Sequence, residues 1–120
     1  MFALVGAAAA PIPDVKLNNG VMMPMLSLGT WQYTPDVAET TVRLGLSLGF
    51  NHIDTANDYK NQDGVGKALA EHNRTSYFLT TKVPPRMLAK TAYSATMKDL
   101  EDDLNLLGLG ERCTYLRSNP

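Results

Sequence analysis

Cysteine is almost missing from this 120-residue chain: Cys113 stands alone. One thiol excludes an internal disulfide framework. It also excludes a thiolate zinc site, which needs at least two cysteines at set spacings. Histidine is scarce as well, and His52 and His72 lack the helical i,i+4 spacing of a metal pair, so no metal is expected. Lysine and arginine form no run, and the formal net charge is −1, so no nucleic acid or other polyanion is expected as a partner. No stretch reaches the ~18 apolar residues that a membrane-spanning helix needs. The start, "MFALVGAAAAPIP", is apolar and small before Pro11, like the end of a leader, but no basic residues precede it. Residues 1–14 therefore read as a flexible or targeting-like segment, and the expected compartment is the cytoplasm. The "NRT" at Asn73 is a glycosylation sequon that matters only for a secreted chain.

What the chain does have is alternation. "VKLNNGVMMP" reads as a hairpin turning at Asn18, Asn19 and Gly20. Met22, Met23 and Met25 are expected to fill its core. "MLSLGTW", Met25 to Trp31, reads as a buried strand. A helix should follow, with Thr34 as cap, Pro35 and Asp36 in the first turn, and Gly49 after its end. Val37, Thr41, Leu44 and Leu48 share one face of it at helical spacing. "FNHID" is a second strand, followed by a short helix from about Asp63 to Glu71 carrying Val65, Ala68 and Leu69. "SYFLTTKV" is a third strand, stopped by Pro84 and Pro85. A last helix from about Thr91 to Leu107 has Met97, Leu100, Leu104 and Leu107 on its apolar face, and Gly108 ends it.

A hairpin followed by three βα units implies an α/β fold with a parallel sheet. In such folds chemistry gathers at the carboxyl ends of the strands. Those ends carry Gly29, Thr30 and Trp31, then Asp54, then Lys82, with Tyr59 in the loop after the second strand. A lysine ammonium near a phenol oxygen favours the phenolate, and a carboxylate keeps the lysine charged and oriented. Asp54, Tyr59 and Lys82 could form such a relay, suited to giving a proton to a carbonyl oxygen. Each has a plainer reading. A loop tyrosine more often packs, a strand-end lysine is more often solvated, and Asp54 could cap the loop. His52 is expected to pack behind its strand, and His72 to favour the negative end of a helix dipole.

"GTW", "HIDTANDYKNQDGVGKAL" and "FLTTKV", in this order and spacing, resemble the aldo-keto reductases. "LEDDLNLLGL" is similar to that family's third helix, and the resemblance covers roughly residues 15–109. It implies the amino-terminal part of a (β/α)8 TIM barrel with an N-terminal β-hairpin and about three βα units. It implies an NADPH-dependent oxidoreductase (NADH being the lesser alternative) that reduces a small aldehyde or ketone to an alcohol. By the resemblance Tyr59 is the general acid, Lys82 tunes it and Asp54 holds Lys82. Gly29, Thr30, Trp31 and Asp54 match cofactor-contacting positions, and Trp31 and Tyr59 wall the substrate pocket.

The tail, 110–120, departs from the family pattern. Read without gaps, it puts Ser118 where the family has a catalytic histidine, and Arg112 and Arg117 in what should be an apolar strand. A serine cannot switch charge near neutral pH. A whole barrel takes about 250 residues, so the chain reads as truncated and, alone, inactive. Two other readings stand beside the enzyme. One is a cofactor-binding regulatory subunit, since members with these motifs serve membrane channels. The other is an inactive fragment.

Overall fold

The computed structural model describes residues 12–84 and 89–110. The targeting-like start to Pro11, Pro85, and the tail with Arg112, Cys113, Arg117 and Ser118 lie outside the described residues.

Asn19 and Gly20 turn the chain back on itself. Gly20 takes φ +86°, a left-handed conformation that suits glycine, and Asn19 Oδ1 accepts the Val21 N–H at 3.1 Å. The flanking strands β1 (Asp14–Lys16) and β2 (Met22–Pro24) pair antiparallel with Val15 opposite Met23. The expected methionine core is not there: Met22 and Met25 are exposed, and Met23 is only half-buried. A two-stranded ribbon of three-residue strands has too little surface to enclose them.

Three parallel strands follow in the order β3 (Leu28–Gly29), β4 (His52–Asp54), β5 (Phe78–Thr80). β3 is shorter than the expected Met25–Trp31, because pairing with β4 begins at Leu28 and Met25 and Leu26 remain exposed. Helix α1 (Pro35–Ser47) starts as expected, with the Val37 N–H donating to Thr34 Oγ1. It buries a different face. Ala38, Val42 and Gly45 point inward, while Val37, Leu44 and Leu48 are exposed and Thr41 is half-buried. The period was right but the face is rotated by one residue, about 100°. Small residues win because neighbours come close: a Cβ on Gly45 would lie 2.5 Å from Leu28 Cδ2.

Helix α2 (Gln62–Leu69) buries Val65, Ala68 and Leu69, as its periodicity predicts. Helix α3 (Ala89–Leu106) runs into buried Leu107 and ends before Gly108 at φ +67°. Leu100 and Leu104 on its apolar face are half-buried, but Met97 is exposed. The core joins sheet and helices through Val42, Ile53, Val65, Leu69 and Leu107. His52 lies behind β4, edge-on to Phe78, with one ring nitrogen 2.9 Å from Pro24 O and the other 2.9 Å from Thr80 Oγ1. That ties the hairpin to the sheet. Gly29 pairs with Asp54 and Asp54 with Thr80, so the three strand ends are level. Among the described residues no helix is long and apolar enough to cross a membrane.

Candidate functional site

Level strand ends bring Asp54, Tyr59 and Lys82 together. The chain continues past β5 in step with the loop after β4: Thr55 N–H donates to Thr80 O at 2.8 Å, and Asn57 N–H to Lys82 O at 3.0 Å. Lys82 is thereby fixed beside the turn Asn57–Tyr59, a single 3₁₀ turn. Its ammonium has three N–H groups and no acceptor. It reaches Asp54 Oδ1 at 2.5 Å, Thr55 O at 3.0 Å and Tyr59 Oη at 3.4 Å. Nζ also stands 5.2 Å from the Tyr59 ring centroid. The Lys82 side chain is 47% exposed. An ion pair that open adds only about 0–1 kcal/mol to stability, so what it chiefly does is hold the ammonium against the phenol.

Gly29 and Thr30 sit beside Asp54. Thr30 is buried, and both its N–H, at 3.0 Å, and its hydroxyl, at 3.2 Å, donate to Asp54 O. Thr30 thus holds the main chain at the site, with its backbone and hydroxyl donors both directed to Asp54 O. Trp31 is 65% exposed and, among the described residues, makes no hydrogen bond or ring contact. Non-glycine residues with positive φ occur at two described positions, and both touch this site in sequence. Gln32, φ +64°, follows Trp31, and Lys60, φ +55°, follows Tyr59. Such backbone is uncommon outside glycine and reverses the chain right after each ring.

The sequence reading missed the polar groups that hold these loops. Asn61 lies two residues after Tyr59. It is fully buried, and its Nδ2 donates to Thr30 O at 2.7 Å and Tyr33 O at 2.9 Å, which pins the segment bearing Trp31. Asp103 of α3 is fully buried beneath the site. Its Oδ1 accepts from Asn57 Nδ2 at 2.6 Å and Gln62 Nε2 at 2.9 Å, and its Oδ2 from Thr81 Oγ1 at 3.2 Å. One signal could have found it: Asp103 falls between Leu100, Leu104 and Leu107 on the apolar face of its helix.

Burial pushes the Asp103 carboxyl above its ordinary value, against the opposing pull of the hydrogen bonds from Asn57 and Thr81. Asp99 adds to the rise, and Lys60 works against it. A carboxyl raised in the fold contributes its stability below the unfolded-state value, and that contribution is lost as pH rises through the folded one. Stability should therefore fall with rising pH from about 4 upward, and Asp103→Asn should remove that part of the slope. Urea denaturation of both proteins across this range checks it; equal slopes would contradict the assignment.

The family model described as the Aldo/keto reductase family matches residues 23–112. The methylglyoxal reductase DkgA of Escherichia coli is 46% identical over 71 residues, which are 58% of this chain and 26% of that protein. The glycerol 2-dehydrogenase (NADP(+)) of Saccharomyces cerevisiae is 36% identical over 108 residues, 88% of this chain and 33% of that one. The crystal structure of an aldo/keto reductase from Brucella melitensis superposes with a TM-score of 0.73 at 38% identity, covering 85% of this chain and 38% of that one. The chain thus spans roughly a quarter to two fifths of the length of the relatives it matches. The pairs β3–α1, β4–α2 and β5–α3 correspond to the amino-terminal part of a (β/α)8 barrel.

Proposed function

Because the chain belongs to the aldo/keto reductase family, we propose that its strand-end cluster reduces a small aldehyde or ketone with NADPH, or less favourably NADH, as partner. The observation that carries this is the Lys82 ammonium, which contacts the Asp54 carboxylate and the Tyr59 phenol at once. Residues 15–109 form the partial reductase domain, acting in the cytoplasm. Relatives named for methylglyoxal reduction and for an NADP(+)-linked dehydrogenase support the substrate class and the cofactor.

The residues at hand fit a nicotinamide and its ribose. Asp54 spends Oδ1 on Lys82, and Oδ2 accepts no hydrogen bond among the described residues, which leaves it for a hydroxyl. Among the described residues, its own chain neighbours aside, no atom lies within 4 Å of where a Cβ on Gly29 would stand, so the backbone there is open to a flat ring. Trp31 offers an exposed indole beside it. When bound, the reduced cofactor supplies the hydride to the carbonyl carbon. The chain's own work is the proton. Tyr59 donates it to the carbonyl oxygen as charge develops there, and the ammonium at 3.4 Å stabilises the phenolate left behind. Asp54 keeps the ammonium in place, and Trp31 and Tyr59 wall the substrate.

The test is a fluorescence titration of the purified chain with NADPH, then aldehyde-dependent NADPH oxidation. Saturable binding is expected, weakened about tenfold by Lys82→Met, which removes the charge-assisted contact that holds the Asp54 carboxylate in place for the ribose. A folded chain that binds neither NADPH nor NADH would sink the proposal.

A further inference from the structure

We infer that Asp103 is a positioning residue: its buried carboxylate clamps the turn that carries Tyr59 to the strand end that carries Lys82, and so sets the distance between phenol and ammonium. The inference rests on the reading of Tyr59 and Lys82 as a proton-transfer pair.

Three donors from three separate places meet on this one group. Asn57 opens the turn that ends at Tyr59. Thr81 immediately precedes Lys82. Gln62 is the first residue of α2, which leaves the same loop. Each gives the carboxylate one hydrogen bond, at 2.6, 3.2 and 2.9 Å respectively. An amide NH₂ cannot accept, so the two amides need an oxygen between them. Asp103 is 0% exposed, so water cannot readily stand in for that oxygen. Asn57 is also tied directly to Lys82, through its N–H on Lys82 O at 3.0 Å. The carboxylate thus braces from below a junction that the backbone makes from above.

The brace matters because the contact above it has little slack. The Nζ to Oη distance of 3.4 Å is already at the long end for a hydrogen bond. A small shift of either loop would break it, and a 1 Å misplacement at a reacting centre costs on the order of 10²-fold in rate. The clamp works by shape more than by charge. In Asp103→Asn the side-chain oxygen can still take both amides. The new NH₂ can donate to the Thr81 hydroxyl, which accepts as well as donates. Asp103→Leu offers nothing to any of the three.

The experiment is NMR of the full chain carrying tyrosine labelled with ¹³C at Cζ, with the Tyr59 resonance assigned by its disappearance in Tyr59→Phe. Asp103→Leu is expected to move that resonance in the same direction as Lys82→Met, and Asp103→Asn to leave it at the wild-type position. In turnover, Asp103→Leu should lower kcat by about 10²-fold with little change in KM, and Asp103→Asn should restore it. A folded Asp103→Leu protein with an unmoved Tyr59 resonance overturns the inference. If Asp103→Leu fails to fold, Asn57→Ala and Thr81→Val decide, since each removes one donor and keeps the carboxylate. A shift in both supports the clamp, and no shift in either overturns it. A chain that turns over no carbonyl at all counts against the proposed function, while the resonance still judges the clamp.

Discussion

Tyr59→Phe is expected to lower carbonyl reduction by about 10²–10⁴-fold, the usual contribution of a positioned general acid. The substitution removes one oxygen and keeps the ring. The Lys82 ammonium, 5.2 Å from the ring centroid, keeps its face contact with the aromatic system. Its hydrogen bonds to Asp54 and to Thr55 O involve no atom of Tyr59. Fold and cofactor titration should therefore be nearly unchanged, with stability within about 0.5 kcal/mol. Steady-state rates with a small aldehyde, alongside an NADPH titration, separate the two effects. A loss confined to kcat marks a group that acts in the transition state. Full turnover without the hydroxyl would remove Tyr59 from the mechanism, whatever its geometry.

The largest expected effect on stability belongs to Gly64. A Cβ there would lie 2.0 Å from Pro35 O and 2.7 Å from Pro35 C, both of them backbone atoms that no rotamer change can move aside. In an unconstrained helix, alanine is better than glycine by about 1 kcal/mol. Gly64→Ala should instead destabilise by about 1–3 kcal/mol or more, the cost of overpacking. The sign is the diagnostic. A midpoint in urea that rises would mean that α2 does not sit against the first turn of α1. Gly66 makes the matching approach on the other side, where a Cβ would stand 2.3 Å from Leu106 O. So α2 is wedged between α1 and α3 by two glycines. Gln62 starts α2 and Asn61 precedes it, so loosening that wedge should also loosen the site.

Much of the fold was legible in the chain. Asn19 and Gly20 announced the hairpin; Thr34, Pro35 and Asp36 announced the start of α1. Alternating strands and helices announced a parallel sheet, and that topology singled out Asp54, Tyr59 and Lys82 as the residues to watch. These are local signals. Turn chemistry, capping and hydrophobic period act within a few residues of where they are written, so a reader of the sequence has all their terms in hand. That Lys82 reaches both partners follows one step later, once parallel pairing makes the strand ends level.

The tertiary structure decided the rest. The larger apolar side chains of α1 pointed to Val37, Leu44 and Leu48, yet the helix buries Ala38, Val42 and Gly45. Which face turns inward depends on how closely a neighbour can approach, and Leu28, packed against Gly45, favours the small one. The methionines of the hairpin looked like core and are largely exposed, because enclosure needs surfaces that a short ribbon lacks. Asp103 and Asn61 are buried polar groups whose partners lie far along the chain, at Asn57, Gln62 and Thr81 for one and at Thr30 and Tyr33 for the other. A buried carboxylate is tolerated only where enough donors converge on it. Period and turn chemistry are properties of a segment, whereas convergence is a property of the packed molecule.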